Sequence, residues 1–188
     1  MGREFELKYG LNKAAKEEIA EKFQPFHEIT MRTAYFDTAR LSLGARRWTL
    51  RSRLENGVCI CTLKTPLPDG AKGEWETECP DIVRAVPKLV ALGAPAELLE
   101  LTAEGVMPIC GAAFTRLAAD VIYGGSRLEL ALDEGILFRE DRQEKLLELE
   151  VELKTGRDAD AAAFADSLAK QYGLTPEPKS KFKRARDL

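Results

Sequence analysis

Carboxylates stand at every second position in two short stretches of the chain, one near each end. They are Glu4 and Glu6 in the first stretch and Glu148, Glu150 and Glu152 in the second. Because successive side chains of a β-strand point to opposite faces, each series lies on one face of its strand. Clusters of carboxylate oxygens suit hard divalent cations such as Mg²⁺ or Mn²⁺. The spacing therefore favours a metal-binding role if the two strands come together.

Basic residues alternate in the same way. Arg51 and Arg53 point away from Leu50 and Leu54 on their predicted strand. Guanidinium groups can grip phosphate oxygens in bidentate fashion. The candidate phosphate-binding set comprises Lys8, Arg51, Arg53, Lys64 and Arg116, with Lys181 and Arg184 near the C-terminus. A cavity that held both the carboxylates and this basic set would suit a metal-bound polyphosphate.

Eight segments with period-two alternation are predicted to be the strands that position these residues. They are residues 3–9, 28–37, 46–54, 57–65, 71–79, 112–121, 126–133 and 145–154. Asn56-Gly57 predicts a hairpin, and the Pro, Asp and Gly residues of 66–70 predict the next reversal. Such strands form an antiparallel sheet that must close or pack against helices to protect its edges.

Three helices are predicted from capping residues and composition. The first follows Asn12 and extends to Gln24, and the second follows Asp81 and extends to Gly93 with a kink at Pro87. The third spans residues 158–172 and ends at Gly173, because glycine is favoured immediately after a helix.

Apolar and charged residues occupy opposite faces of the predicted strands. Glu74 and Glu76 oppose Trp75, and Glu129 and Asp133 oppose a run of leucines. Contact with solvent on an outer face would explain the charged residues of any one strand. Aligned like charges repel one another, however, so several such rows are not expected on a surface that only has to be soluble. The alternative is a sheet that curls with its charged face inward and its apolar face against helices. Charges in such a lumen must be paired or must coordinate ions.

Length and composition restrict the class of protein. The 188 residues fit a single domain spanning 1–188, and the net charge of −3 gives no reason to expect a nucleic-acid or membrane partner. No apolar run reaches the roughly 18 residues of a membrane span, and a signal-peptide pattern is lacking, so a cytoplasmic location is expected. His27 is the single histidine, so a histidine-rich metal site or a histidine-based catalytic triad is not expected. The four cysteines do not have the paired spacing of a zinc site. We expect the cysteines to be buried thiols, and the oligomeric state remains open.

The first acidic stretch, Glu4-Phe5-Glu6-Leu7-Lys8, resembles the ExExK signature of the CYTH superfamily, also called the triphosphate tunnel metalloenzymes. Later segments resemble the family in the same order over nearly the whole chain. They are Tyr35-Phe36-Asp37-Thr38, Leu50-Arg51-Ser52-Arg53, Thr62-Leu63-Lys64, Glu74-Trp75-Glu76, Arg116, Glu129 through Gly135, Glu148 through Glu152, and Ser180 through Arg184.

The resemblance implies an α+β fold: an eight-stranded antiparallel β-barrel tunnel with a charged lumen and helices packed outside. It also implies divalent-metal-dependent hydrolysis or cyclisation of a triphosphate. The implied main metal ligands are Glu4, Glu6, Glu150 and Glu152, with Glu148 as a further member and Glu74, Glu76 and Asp133 at a second metal. The implied phosphate contacts are Arg51, Arg53, Lys64, Arg116, Lys181 and Arg184. Lys8 would contact the attacking water or the scissile phosphate, and Asp37 is expected to be structural.

Two departures from the family pattern are visible. Lys72 stands where the family commonly has an arginine, and lysine keeps the charge but loses the guanidinium fork. The helical CHAD domain that is attached to some relatives is not expected in this chain.

The leading functional hypothesis is hydrolysis of inorganic triphosphate with Mg²⁺ or Mn²⁺. Thiamine triphosphatase and class IV adenylate cyclase activities are the nearest alternatives, and both need space for an organic group. Trp48 and Trp75 have outward parity, which modestly favours the inorganic substrate. A noncatalytic polyphosphate- or nucleotide-binding module is a further alternative, and a flexible basic tail over residues 179–186 is another explanation of the C-terminal charges.

Overall fold

The computed structural model describes residues 2–188 and contains one antiparallel sheet with helices packed against it. The strands are β1 (Gly2–Glu4), β2 (Glu6–Gly10), β3 (His27–Asp37), β4 (Thr49–Glu55), β5 (Val58–Pro66), β6 (Lys72–Glu78), β7 (Met107–Tyr123), β8 (Ser126–Arg139), β9 (Arg142–Thr155) and β10 (Thr175–Pro176). The helices are α1 (Lys13–Lys22), α2 (Ser42–Ala45), α3 (Ile82–Ala91), α4 (Glu97–Leu101), α5 (Asp158–Tyr172) and α6 (Lys181–Asp187). The sheet order is β1-β6-β5-β4-β3-β7-β8-β9-β2-β10.

The chain around Phe5 joins the two ends of the sheet. β1 pairs with β6, whereas β2, which follows after one residue, pairs with β9. The sheet therefore curls into the antiparallel tunnel that the sequence predicts. The structure has ten strands where eight are predicted, because the first predicted strand is split at Phe5 and the two-residue β10 is added along β2. Curling and pairing cover the strand edges that an open sheet would expose.

The three predicted helices are present as α1, α3 and α5, and the residues expected at their ends lie at those ends. The Asn12 side chain accepts a hydrogen bond from the backbone N–H of Ala15, and Asp81 accepts from two backbone N–H groups at the start of α3. α5 ends at Gly173, which has a left-handed backbone conformation. α3 continues through Pro87. The sequence analysis did not predict α2, α4 or α6.

Along most strands the apolar face of the sheet lies outside, under helices, whereas α6 packs on a smaller apolar cluster of the inner face that includes Phe114 and Leu137. Helices α1 and α5 cover the β8 and β9 side chains Leu130, Leu132 and Val151, which are completely buried. Each such side chain contributes about 1.5–3 kcal/mol of burial free energy. The inverted alternation inferred from the sequence is thus confirmed.

A second apolar cluster lies under α3 and α4, on the outer faces of β4, β5 and β6. Trp48 and Trp75 belong to it, as their parity predicts. The cysteines are free thiols, three of them buried, and burial raises the pKa of Cys61 to about 12. Among residues 2–188, no helix combines the length and apolarity that crossing a bilayer requires.

Candidate functional site

The inner face of the sheet surrounds a cavity of about 270 Å³. Its acidic lining residues are Glu4, Glu6, Glu55, Glu74, Glu76, Glu129, Glu150 and Glu152, and its basic ones are Lys8, Arg51, Arg53, Lys64, Lys72, Arg116, Lys154 and Lys181. The formal charges of these two sets of eight cancel. A cavity of this kind does not favour a bare polyanion through net charge, but it suits a polyanion accompanied by cations.

The structure brings most of the predicted site residues together. All of them line the cavity except Asp133, Glu148 and Arg184. The N-terminal and C-terminal acidic stretches meet through the pairing of β2 with β9, where Glu6 is opposite Glu152 and Lys8 is opposite Glu150. Facing residues of an antiparallel pair lie on the same side of the sheet, so these four side chains share the lumen.

Glu4 carries a carboxylate oxygen that lacks a partner. Its Oε1 accepts a hydrogen bond from Lys64, but its buried Oε2 has no hydrogen-bond partner among residues 2–188. The Nζ of Lys72 is 3.8 Å away from Oε2, which is beyond hydrogen-bond distance. A buried anionic oxygen without a partner is energetically costly, so this atom is suited to a ligand with positive charge.

The neighbouring lysines keep Glu6 ionised. Burial alone would raise the pKa of its carboxyl, and so would the nearby Glu150. Lys72, Lys64 and Lys8 outweigh both effects and lower the pKa of Glu6 to about 2. Glu6 therefore carries its negative charge throughout the neutral range, as a metal ligand must.

Glu150 and Glu152 differ in their surroundings. Burial opposes the ionisation of Glu150, but Lys181 and Arg116 hold its pKa well below the usual range. Burial raises the pKa of Glu152, and Lys154 offsets only part of that increase. The carboxylate of Glu152 thus has less compensating positive charge than that of Glu150.

The basic residues that point into the cavity are not equally paired. The Nη2 atom of Arg51 lies 3.6 Å from a carboxylate oxygen of Glu74 and 3.6 Å from one of Glu76. The buried Nε atom of Arg51 has no hydrogen-bond partner within the described chain. Lys8 has Glu6 as a carboxylate contact at 3.8 Å. Both cations are mostly buried and loosely held, so they have capacity to bind an anion.

Asp133, Glu148 and Glu150 form a separate acidic cluster whose oxygens lie within 4.8 Å of one another. The Lys181 ammonium contacts all three, at 2.7 Å for Asp133 and 2.7 Å for Glu150. Arg116 binds Asp133 through two hydrogen bonds of 2.8 and 2.7 Å. The space between these three carboxylates is therefore filled by a lysine side chain.

α6 supplies the cation of this acidic cluster. Ser180 caps the helix by accepting a hydrogen bond from the backbone N–H of Lys183, and Lys181 then points inward and is 9% exposed. Arg184, one turn later, donates to Glu144 and Glu148 rather than into the cavity. The segment is a packed helix, so the flexible-tail explanation is wrong.

Asp37 has the structural surroundings expected of it. The side chain is 1% exposed and accepts hydrogen bonds from the backbone N–H groups of Thr38, Leu43 and Gly44. It thereby joins the end of β3 to the start of α2.

The candidate set chosen from the sequence omits several lining residues. Glu129, Lys154 and Glu55 line the cavity, and so does Lys72. Lys154 continues the alternation of Glu150 and Glu152, so parity could have identified it.

The cavity also has an apolar side, which the outward parity of the two tryptophans does not reveal. Ile29 and Met31 on β3 and Ile60 on β5 line it. The sequence analysis did not assign inward and outward faces to β3.

The donor set fits a hard divalent cation. Glu4 on β1, Glu6 on β2, and Glu150 and Glu152 on β9 offer carboxylate oxygens, and Glu4 Oε2, which has no hydrogen-bond partner among residues 2–188, belongs to the same lining. Histidine and thiolate ligands, which softer metals favour, do not line the cavity among residues 2–188.

Comparison with known proteins agrees with this architecture. The CYTH domain family model matches residues 2–185. The chain belongs to the CYTH family. The inorganic triphosphatase of Haemophilus influenzae is 25% identical over 191 residues, which cover 98% of this chain and 54% of that protein. The CYTH chain thus spans about half the length of this curated relative.

Solved structures resemble the CYTH chain in fold. A protein from Pyrococcus horikoshii OT3 superposes with a TM-score of 0.66 at 21% identity, covering 98% of each chain. A Hippeastrum protein, described as a candidate adenylyl cyclase with a dominant triphosphatase activity, gives 0.64 at 21% identity, with 99% of this chain and 96% of that chain covered. At such identities the likeness bears on the fold alone.

Proposed function

We propose that this protein hydrolyses inorganic triphosphate to pyrophosphate and phosphate with Mg²⁺ or Mn²⁺. The observation that carries the proposal is the presence, in one cavity, of a buried carboxylate oxygen and a buried guanidinium Nε that both have no hydrogen-bond partner among residues 2–188. They belong to Glu4 and Arg51. The carboxylate oxygen requires a positively charged ligand and the guanidinium requires a negatively charged one. A metal-bound polyphosphate provides both charges. The name of the Haemophilus influenzae relative supports the same substrate.

Glu4, Glu6, Glu150 and Glu152 would hold the metal, with Glu74 and Glu76 available to a second one. A bound divalent ion would neutralise charge on the phosphoryl oxygens and so make the phosphorus more open to attack. Asp133 and Glu148, implied by the family resemblance as metal ligands, would instead hold Lys181, Arg116 and Arg184 in place. This division follows because Lys181 contacts all three carboxylates of the cluster but only Glu150 also lines the cavity, whereas Asp133 and Glu148 do not.

Arg51, Arg53 and Lys64 would bind the phosphate chain, and Lys8 would contact the scissile phosphate. Water attacks a terminal phosphorus in line with the bridging oxygen, a new P–O bond forms, and the bridging P–O bond breaks to release pyrophosphate. A cavity carboxylate accepts the proton that the water loses. Positioning and electrostatic stabilisation provide the catalysis in such a scheme, and no covalent nucleophile is needed.

The test is phosphate release from inorganic triphosphate, thiamine triphosphate and ATP with Mg²⁺ or Mn²⁺, each repeated with EDTA. We expect kcat/KM to be highest for inorganic triphosphate and EDTA to abolish turnover. Cyclic AMP as the dominant product would overturn the assignment. Metal-independent tight binding of triphosphate without turnover would indicate a noncatalytic binding module instead.

Hydrolysis of an organic triphosphate is a second candidate, and the apolar side of the cavity favours it. Ile29 and Ile60 are only partly buried, and with Met31 they provide a surface on which an organic group could pack. A higher kcat/KM for thiamine triphosphate than for inorganic triphosphate would support this candidate.

Arg51→Lys is expected to raise KM for triphosphate by about tenfold, because lysine keeps the charge but cannot make the paired contacts of a guanidinium. Steady-state kinetics at saturating metal provide the measurement. The matched control is Arg46→Lys, which alters an exposed arginine bound to Glu97 outside the cavity. Equal KM values for the wild-type and Arg51→Lys proteins would remove Arg51 from the phosphate-binding set.

A further inference from the structure

Lys154 lies in the cavity wall next to the last residue of β9, where it bridges two carboxylates. Its Nζ is 3.0 Å from Oε1 of Glu152 and 3.4 Å from Oε2 of Glu129. Both glutamates also line the cavity. A single ammonium group therefore serves two carboxylates that face the candidate metal site.

These carboxylates belong to a row that crosses three strands. Glu152 on β9 is directly opposite Glu6 on β2 and directly opposite Glu129 on β8. Like charges in facing positions of a sheet destabilise it. Lys72 is 2.7 Å from Glu6, and Lys154 lies between the other two members of the row. The row is thus compensated by lysine ammonium groups.

We propose that Lys154 is a displaceable counterion that sets the affinity of the row Glu6–Glu152–Glu129 for divalent cations. The inference rests on the proposed function, because it assumes that the cavity carboxylates bind metal. Two cations cannot occupy the space between the same two carboxylates, so a metal that binds between Glu152 and Glu129 must move the Lys154 ammonium away. The energy of the broken ion pairs then reduces the observed metal affinity.

The surroundings of Lys154 permit that displacement. Its side chain is 35% exposed, and the flexible four-carbon stem allows the ammonium to turn toward solvent. The side chain of Lys181, by contrast, is 10% exposed, and its ammonium contacts three carboxylates. An ammonium enclosed in that way has no water to move into, so Lys181 is a fixed part of the wall whereas Lys154 can exchange.

The test measures Mn²⁺ binding to the protein without substrate, by isothermal titration calorimetry, in wild type and Lys154→Met. We expect Lys154→Met to bind Mn²⁺ about tenfold more tightly, since the competing charge is removed. The metal concentration that gives half-maximal triphosphate hydrolysis should fall in parallel. Lys154→Arg should bind Mn²⁺ no more tightly than wild type, because the positive charge remains.

Lys16→Met is the matched control. Lys16 on α1 also pairs with a β8 glutamate, Glu134, but on the outer side of the sheet, so its removal should leave Mn²⁺ affinity unchanged. Thermal melting verifies that each variant is folded, and Lys154→Gln replaces the methionine variant if that one melts early.

Unchanged or weaker Mn²⁺ binding in Lys154→Met, in a protein that still hydrolyses triphosphate, overturns this inference and leaves the proposed function intact. A rise in KM for triphosphate without tighter metal binding also overturns it, because it makes Lys154 a phosphate contact. A wild-type protein that neither binds Mn²⁺ nor hydrolyses triphosphate overturns the proposed function together with the inference.

Discussion

Glu4→Gln is expected to lower kcat/KM for inorganic triphosphate by at least about a hundredfold, because a neutral amide replaces a carboxylate that would hold the metal. Glu4 is 7% exposed, and its Oε2 has no hydrogen-bond partner within residues 2–188, so no other protein group competes strongly for that atom. The substitution keeps the shape of the side chain. Loss of activity would therefore report loss of the metal ligand.

Calorimetry and kinetics together test the role of Glu4. Mn²⁺ binding should weaken in Glu4→Gln, and the melting temperature should change little, because Lys64 keeps Glu74 as a partner at 3.1 Å. Glu18→Gln, which changes an exposed glutamate of α1, is the control and should behave as wild type. Turnover of Glu4→Gln within about threefold of wild type would remove Glu4 from the metal site.

Lys181→Met is expected to reduce the free energy of unfolding by about 3–5 kcal/mol, the usual cost of removing one partner from a buried ion cluster. The variant leaves Asp133 and Glu148, at 0% and 1% exposure, without the ammonium that they share with Glu150. Urea denaturation provides the measurement. Lys183→Met, on the same helix but exposed, is the control and should lose less than about 1 kcal/mol.

The loss in Lys181→Met should also depend on pH. Burial already raises the pKa of Glu148 to about 7, although Lys181 lowers it, so removing Lys181 raises that pKa further. A carboxyl group whose pKa is higher in the folded than in the unfolded protein loses stabilising free energy as the pH rises through the folded value. The deficit relative to wild type should therefore be larger at pH 8 than at pH 6. An equal deficit at both pH values would show that lost packing, and not charge, causes it.

Much of the inner surface could be predicted because strand parity is a local property. Glu150 and Glu152 alternate with Leu149 and Val151, and hydrophobic burial under the helices requires the apolar set to face outward. The charged set must then face inward wherever the sheet curls. Parity is the same for Glu148 as for Glu150, however, and it does not indicate how deep in the tunnel each one lies.

The different positions of two basic residues of α6 could not be predicted from the sequence. The family resemblance implied that both Lys181 and Arg184 contact phosphate, but one turn of helix separates them. Arg184 binds Glu144 and Glu148, away from the cavity, whereas Lys181 reaches the lining. The strand pattern could not show this, because it does not indicate that residues 181–187 form a helix packed against β7 and β8.

The amino-acid sequence by itself determined where eight strand segments lie, which face is charged on most of them, and that carboxylates and basic groups share that face. These properties follow from a two-residue repeat and from the free energy of burying leucine, valine and tryptophan. Only the tertiary structure decided which charges neutralise one another and which remain available to a ligand. Strand register and the docking of α6 decide it, since they place Lys181 among three carboxylates, whereas Glu4 and Arg51 keep atoms that have no hydrogen-bond partner in the described part of the chain, residues 2–188. Pairing between charges depends on distances between distant parts of the chain, and no local pattern specifies those distances.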